Sequence, residues 1–440
     1  MADITIVGLG PGDPERRTVA VQRAIDSART VFVRSHDGVN VTDLLARDNV
    51  RDIGTLYARE LDPAKRWEAA IQVICDAASD GPVVLAIPGH PRYGEGLVIG
   101  TLAEADRRGL STQVLDGISV VDLIATGLGV DPLVEGVQLF NTRGIATDMS
   151  SDPFAGGLFT GSPRRPLLFT HVYDDAIRDG MAKALARVFP PEHPVLRIEA
   201  IGMPNASVSE HTVGELASVP CGQLVAFWVP AIDTLDAGRD PRTLQHIVAR
   251  LRAPGGCPWD RKQTNTSLRN ALIDEVYEAV DAIDAGDMEN LAEELGDLFL
   301  LIAMHAQIAE EAGHFTLEDV FEGIAAKIVR RHPHVFGDEA AAHAEEVVGL
   351  WQRIKAEEKA GGRGGSKATD GQPRSMPGLE RASRVLAKHP FDPTSGDPND
   401  AGDRLLAVIA GIIDAGDDPD AVLRAALERH VASSGRDSRF

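Results

Sequence analysis

Aromatic residues make up only 5% of this 440-residue chain, and cysteine occurs three times, at Cys75, Cys221 and Cys257. Cysteines this far apart, with no CxxC, offer no disulfide framework and fit inert thiols in a reducing cytoplasm. Positive charge is also scarce: 44 Lys and Arg stand against 66 Asp and Glu, for a formal net charge of −22. General binding to nucleic acid or to an anionic membrane is thereby excluded, because the dominant electrostatic term would be repulsive. An anionic substrate requires a metal or a local basic cluster to invert the field. No apolar run reaches the length that spans a bilayer. The longest one in the helical half, residues 298–309, carries His305 and Gln307 and reads as a buried helix. The chain opens directly on a strand pattern, with no basic and apolar segments of a signal peptide.

The length calls for two domains and a small appendage. Up to about residue 230, strand-like runs alternate with helix-like stretches between Gly and Pro punctuation. The runs are Ile4-Thr5-Ile6-Val7, Val31-Phe32-Val33, Val83-Val84-Leu85-Ala86-Ile87, Pro166-Leu167-Leu168-Phe169-Thr170 and Leu224-Val225-Ala226-Phe227-Trp228-Val229. This alternation predicts an α/β domain over 1–230. After Pro230 the composition changes. Asp240-Pro241 supplies an N-cap and a first-turn proline, and Leu244, Ile247, Val248 and Leu251 share one helix face. The pattern stays helical over 240–360, broken by the loop at 255–260, by Gly286, Gly313 and Pro333, and Thr316-x-x-Asp319 reads as a capping box. Residues 361–373 have the Gly, Ser and Lys content of a flexible linker, and a weaker helical tail occupies 374–440.

The chemistry concentrates in two acidic helix patterns, Asp274-Glu275-Val276-Tyr277-Glu278 and Glu293-Glu294-Leu295-Gly296-Asp297. Residues three apart share a helix face, so Glu275 pairs with Glu278, and Glu294 with Asp297. Taken alone, Glu-x-x-Glu is usually a solvated face. Here the second pair abuts Leu298-Phe299-Leu300-Leu301-Ile302, and Gly296 sits in mid-helix, where glycine costs roughly 1 kcal/mol against alanine and is kept for close backbone approach or a packed ligand. If the two helices pack antiparallel, four carboxylates converge, a cluster that a hard, oxygen-seeking divalent cation such as Mg²⁺ would relieve. Farther along, Lys327, Arg330 and Arg331 share one side of a helix ended by His332-Pro333-His334. Such a cluster either complements a helix dipole or holds phosphate oxygens. Di-iron chemistry is disfavoured, since neither acidic helix has a histidine three residues after a ligand. His305 reads as a satisfied core histidine.

Gly256-Cys257-Pro258-Trp259-Asp260, Asp274-Glu275-x-x-Glu278, Glu294-Leu295-Gly296-Asp297-Leu298 and Lys327-x-x-Arg330-Arg331-His332-Pro333-His334-Val335-Phe336 resemble, in order and spacing, the MazG family of nucleoside triphosphate pyrophosphohydrolases. The resemblance implies an all-α domain, usually a homodimer. In it, Mg²⁺ held by Glu275, Glu278, Glu294 and Asp297 promotes hydrolysis of an NTP to NMP and pyrophosphate, while Lys327, Arg330 and Arg331 assist the leaving group. It places Trp259, Lys262, Lys327 and Arg331 against the nucleotide. Trp259 either stacks on the base or packs under the helices, and Trp351 and Lys355 are further candidates. The family motif usually begins Glu-Glu, so Asp274 stands behind the ligands.

The N-terminal segment Ile6-Val7-Gly8-Leu9-Gly10-Pro11-Gly12-Asp13-Pro14 is neither GxGxxG nor a P-loop; its glycines mark a tight turn, structural or ligand-approaching. Together with Pro88-Gly89-His90-Pro91 and Asp116-Gly117-Ile118-Ser119 it resembles the tetrapyrrole (corrin/porphyrin) methylase family, in the YabN-type branch fused to MazG. That resemblance implies two α/β lobes with S-adenosylmethionine in the cleft, contacted by Gly10, Pro11, Gly12 and Asp13 and by Pro88, Gly89 and His90. The chain departs from the family pattern at His90, where many members have Asp, and at Asp116, where Pro is usual.

In the tail, Met376-Pro377-Gly378-Leu379-Glu380-Arg381-Ala382 and the runs at 403–408 and 424–429 resemble a shortened second MazG repeat without its acidic pair. The leading expectation is therefore a cytoplasmic, Mg²⁺-dependent NTP pyrophosphohydrolase with a small-molecule substrate and no nucleic-acid or membrane partner. A methyltransferase with a regulatory nucleotide-binding helical domain is the second reading, and a nucleotide-sensing module without turnover the third.

Overall fold

The computed structural model describes residues 2–11, 13–34, 41–57, 67–142, 144, 161–222, 224–360, 373, 375–392 and 396–433. The linker expected at 361–373 therefore lies, except for Pro373, outside the described residues, as does Gly12. The chain divides into two compact units, residues 1–317 and 318–440.

The first sheet of unit 1 is all parallel, in the order β3-β2-β4-β1-β5. Its strands are β1 (Ile4–Gly8), β2 (Thr30–Val33), β3 (Val50–Asp52), β4 (Val83–Ile87) and β5 (Thr112–Leu115). Helices α1 (Val19–Ser27), α2 (Glu68–Ser79) and α3 (Gly96–Arg108) lie in the connections. The strand period of two sorts the side chains between two cores. Ile4, Ile6, Val83, Leu85 and Ile87 pack with Ala70, Ile74, Leu97 and Val98 of α2 and α3, while Val7, Val84 and Ala86 pack with Val21 and Ile25 of α1. Both faces are covered, which is why β4 is an unbroken apolar run in the sequence and β1, buried at all five positions, is interrupted only by Thr5 before its closing glycine.

A second, mixed sheet has the order β6-β7-β10-β8-β9, from β6 (Gln138–Asn141), β7 (Leu167–Thr170), β8 (Pro194–Glu199), β9 (Ser207–Thr212) and β10 (Val225–Val229). β6 and β7 pair parallel; β7, β10, β8 and β9 pair antiparallel in turn. One face carries Leu167, Phe169, Phe227 and Val229 against Met181 and Leu185 of α5 (Asp175–Ala186). The other sets Leu168, Ala226 and Trp228 against Ile124 of α4 (Val120–Leu128).

The helical part opens with α6 (Pro241–Arg252), N-capped by Asp240 as expected. It continues as α7 (Arg269–Ala285) and α8 (Met288–Glu311). Gly286 ends α7 in the left-handed conformation at φ 69°, and the Asp287 side chain accepts from Asn290 N to start α8. So short a connection makes the pair an antiparallel hairpin. Val248, Leu268, Leu301 and Met304 form its core with α6. Arg252, whose side chain is only 6% exposed, clamps the open end. It donates to Glu311 of α8 at 2.7 Å and to the carbonyls of Asp260 and Gln263 at 2.5 and 3.2 Å. Arg252→Ala should lower unfolding stability by about 1–3 kcal/mol, because it leaves two loop carbonyls without their donor, while the 40% exposed Glu311 carboxylate turns to solvent. Chemical denaturation measures that directly; a change below about 0.5 kcal/mol, the range of an ordinary surface site, would show that the clamp is idle.

Unit 2 holds most of α9 (Leu317–Arg331), then α10 (Ala344–Ala360), α11 (Gly378–Leu386), α12 (Ala401–Asp414) and α13 (Pro419–Ser433). Of these, α11 and α12 share a small core of Leu386, Ile409 and Ala410. The tail is helical where its sequence pattern says. Among the described residues no helix is long and apolar enough to cross a membrane.

Candidate functional site

The α7–α8 hairpin brings three carboxylates of the two acidic pairs together. Glu275, Glu278 and Glu294 each offer a carboxylate oxygen within 4.8 Å of the others. Glu294 is buried, Glu275 half-buried and Glu278 exposed, so the cluster is anchored inside the hairpin and open at one corner. Burial first, then the charges of Glu278 and Asp297, push the Glu275 carboxyl above its ordinary range. The same causes, with Glu275 added, push Glu294 up. Asp297, half-buried one turn beyond Glu294, thus contributes charge to the cluster while lying outside the set of three. An all-oxygen donor set, crowded enough to resist its own ionisation, fits a hard divalent cation such as Mg²⁺.

Three sequence expectations meet a different environment here. A Cβ on Gly296 would meet nothing within 4 Å, so this glycine does not serve a close approach inside the hairpin. Trp259 is 65% exposed in the turn before Asp260–Lys262, which removes the alternative of packing under the helices. Lys262 is exposed beside it. His305 is only half satisfied: Nδ1 bonds Asn265 Oδ1 at 2.8 Å, whereas Nε2 is buried without a partner. Burial holds its pKa below the ordinary histidine value.

In unit 2, Lys327 is half-buried, and the Arg330 and Arg331 guanidiniums both donate to the carboxylate of Glu358. These bonds hold the Glu358 pKa down at about 2. Arg331 also lies 5.0 Å from the centre of the Trp351 ring, and Lys355 5.7 Å from it. No local sequence signal points to Glu358, because its partners are 27 and 28 residues away.

The three N-terminal glycine motifs converge at the carboxyl ends of the parallel strands. In the order β3-β2-β4-β1-β5 the chain leaves β1 towards one edge and later crosses to the other, so a crevice opens between β4 and β1. Gly10 and Gly89 exchange backbone hydrogen bonds there, at 3.1 Å from Gly10 N and 3.0 Å from Gly89 N. Both are left-handed, at φ 73° and 71°. A Cβ on Gly8 would lie 2.6 Å from the Gly89 oxygen, and one on Gly117 only 2.4 Å from it. Beyond Gly89 the space on the Cβ side is open. Such a glycine cradle fits close approach of a small cofactor such as S-adenosylmethionine. Pro88 is buried beneath it, and Pro11 presents its carbonyl 3.3 Å from the Cβ position of Gly202. The Asp13 side chain is committed to capping the next turn, accepting from Glu15 N. His90 accepts from Arg92 N at Nδ1 and points Nε2 at Asp116, 3.6 Å away. The two positions that depart from the family pattern thus face each other.

Several groups in this region escape a sequence reading. Arg34, at the end of β2, donates to the buried Glu95 at 2.7 Å. The loop after β8 holds Ala200 at φ 52°. His171 after β7, at φ 64°, has its ring against Gly94.

Two domain families account for this arrangement. The tetrapyrrole (corrin/porphyrin) methylases match residues 3–217, and the MazG nucleotide pyrophosphohydrolase domain matches residues 263–336. The chain is a tetrapyrrole-methylase-like domain fused to a MazG domain. The uncharacterized protein YabN of Bacillus subtilis (strain 168) is 32% identical over 385 residues, which cover 87% of this chain and 76% of that protein. The chain belongs to the YabN family. The nucleoside triphosphate pyrophosphohydrolase of Escherichia coli (strain K12) is 43% identical over 140 residues, 32% of this chain and 53% of that one. The nucleoside triphosphate pyrophosphohydrolase/pyrophosphatase MazG of Thermotoga maritima is 45% identical over 142 residues, again 32% and 53%. The chain thus spans about half the length of these two relatives.

Proposed function

We propose that the protein is a cytoplasmic, Mg²⁺-dependent nucleoside triphosphate pyrophosphohydrolase, its hydrolase domain lying over 240–360. The observation that carries this reading is the gathering of Glu275, Glu278 and Glu294 within 4.8 Å on one hairpin, with two of them resisting ionisation. Relatives named for the activity match the same stretch. Glu275, Glu278 and Glu294, with Asp297 adjoining, would hold Mg²⁺, which when bound supplies Lewis-acid polarisation and charge neutralisation for phosphate oxygens. Lys327, Arg330 and Arg331 bind and orient the phosphates and neutralise the departing charge. Exposed Trp259 offers a face to the base, and Lys262 a neighbouring cation. Water adds to the α-phosphorus, the α–β phosphoanhydride bond breaks, and NMP and pyrophosphate leave. Incubation of the purified chain with an NTP and Mg²⁺ should yield equimolar NMP and pyrophosphate; orthophosphate as the first product would place the protein in another class.

The same hairpin supports a homodimer. Val276, Val280 and Ile283 on α7, and Leu295, Phe299 and Ile302 on α8, are exposed at spacings that repeat on one helix face, with Phe299 58% exposed. A second copy presenting the same two helices would cover both stripes in a four-helix arrangement about a twofold axis. Phe299→Glu should then convert the dimer to a monomer with at least a roughly tenfold weaker self-association, read by sedimentation at several concentrations. A wild type that sediments as a monomer at all of them would refute the dimer.

For the N-terminal domain, at 1–230, the glycine cradle favours S-adenosylmethionine binding through Gly10, Pro11, Gly12, Asp13, Pro88, Gly89 and His90. Methyl transfer to a tetrapyrrole-type acceptor is the corresponding second activity. Calorimetry with S-adenosylmethionine should show saturable heat, and its absence would leave this domain a scaffold. The tail, at 374–440, acts as a shortened, non-catalytic repeat.

A further inference from the structure

The basic end of α9 is held by one residue. Arg330 donates from Nε and Nη2 to Glu358 Oε1 at 2.8 and 2.5 Å, and Arg331 from Nε and Nη2 to Oε2 at 3.2 and 2.5 Å. Each guanidinium spends the same edge on the carboxylate. Among the described residues neither Nη1 has a hydrogen-bond partner, so each arginine keeps one end of its fork for another acceptor. The plane of Arg331 is fixed a second time by the face of Trp351. Trp351, Lys355 and Glu358 follow at i, i+4 and i+7, so α10 presents them as one stripe.

We propose that Glu358 is a positioning residue, whose carboxylate sets the guanidinium planes of Arg330 and Arg331 so that their remaining donors meet the phosphates of the nucleotide. This rests on the hydrolase reading, in which those arginines bind phosphate. Two effects of Glu358 oppose each other. Its negative charge weakens the local attraction for an anion, whereas its hydrogen bonds immobilise two long side chains before substrate arrives. Ordering rotamer-rich side chains is a major cost of binding, and a bidentate fork gains from being preset. At this partly exposed site, where charge is screened by solvent and salt, orientation outweighs the lost charge.

The balance makes the test a matter of sign. In the full-length chain, Glu358→Gln removes the one negative charge of the cluster and one of the two acceptor oxygens. Positioning predicts that KM for Mg-NTP rises roughly tenfold with kcat within about threefold, the order expected when two side chains lose their preset geometry. Glu358→Asp, which keeps both oxygens on a shorter stem, should fall between Gln and wild type, and it carries the comparison if the Gln variant fails to fold. Calorimetric titration with Mg-pyrophosphate gives a readout independent of turnover, with affinity about tenfold lower for Gln. Equal or tighter pyrophosphate binding by Glu358→Gln would overturn the positioning role, and so would a wild type that binds none. A wild type that binds pyrophosphate normally yet releases none from NTP would overturn the hydrolase reading alone.

Discussion

Glu278→Gln should reduce pyrophosphate release by at least about a thousandfold while raising the melting temperature of the protein in the absence of divalent ions. The two effects have one cause. In the ion-free hairpin, Glu278 faces Glu275 and Glu294, and its charge helps push both of their pKa values up. A carboxylate whose folded pKa is raised favours the folded state below its unfolded pKa, and this contribution is lost as pH rises through the folded value. Near neutral pH the cluster therefore works against folding, and removing one charge relieves it. The excess stability of the Gln variant over wild type should be largest at alkaline pH, above the raised pKa values of Glu275 and Glu294, and should vanish in acid, where those two carboxyls are protonated. Activity should move the other way, because on the proposed reading the substitution takes a charged group away from the cation, and with it the electrostatic stabilisation that phosphoryl chemistry depends on. Thermal melts in a chelating buffer, paired with a pyrophosphate-release assay, check both arms. A variant less stable than wild type at pH 8 would mean that the repulsion is not felt.

Gly117→Ala should be the most damaging small substitution in the N-terminal domain. The added methyl would sit 2.4 Å from the Gly89 oxygen and 2.6 Å from the Gly8 oxygen. Both are backbone atoms and cannot swing aside as a flexible side chain would. Overpacking against fixed backbone costs about 3 kcal/mol or more, and the shift needed to relieve it would spread through the junction of three strand ends. Gly89→Ala is the informative contrast: its Cβ would meet nothing within 4 Å, so only the left-handed φ of 71° is penalised, by roughly 1–2 kcal/mol. Denaturant unfolding should rank them wild type, Gly89→Ala, Gly117→Ala. Calorimetry should show S-adenosylmethionine binding lost in Gly117→Ala. Equal stability of the two variants would show that the close approach at Gly117 is not rigid.

The same contrast between local pattern and long-range contact explains what the sequence reveals. β1, β2, β4, β7 and β10 lie inside their sheets and are mostly or fully buried, so they stand out as apolar runs. β3, β5, β6 and β9 are sheet edges with polar, half-exposed residues, as in Ser207–Thr212, and carry no such signal. β8 lies inside the second sheet, but Arg197 and Glu199 interrupt its apolar pattern. The acidic site is legible for a geometric reason: Glu275 and Glu278 sit three apart on one helix and Glu294 on the next, and a hairpin turn marked by Gly286 and Asp287 fixes their facing. Glu358 is not legible, because a partner almost thirty residues away leaves no trace in local spacing. Gly296 misleads in the opposite direction. A mid-helix glycine suggests crowding, yet the space beside it is open, on the helix whose Leu295 and Phe299 are exposed.

If Glu275, Glu278 and Glu294 hold a divalent cation, titration of the protein with Mn²⁺ followed by electron paramagnetic resonance will read it without turnover, because bound and free ion are distinguished. The wild type should take up Mn²⁺ saturably and release it to excess Mg²⁺, while Glu294→Gln should weaken uptake by at least about tenfold. Undiminished binding by a variant with all three glutamates replaced by glutamine would show that the hairpin carboxylates do not hold the ion.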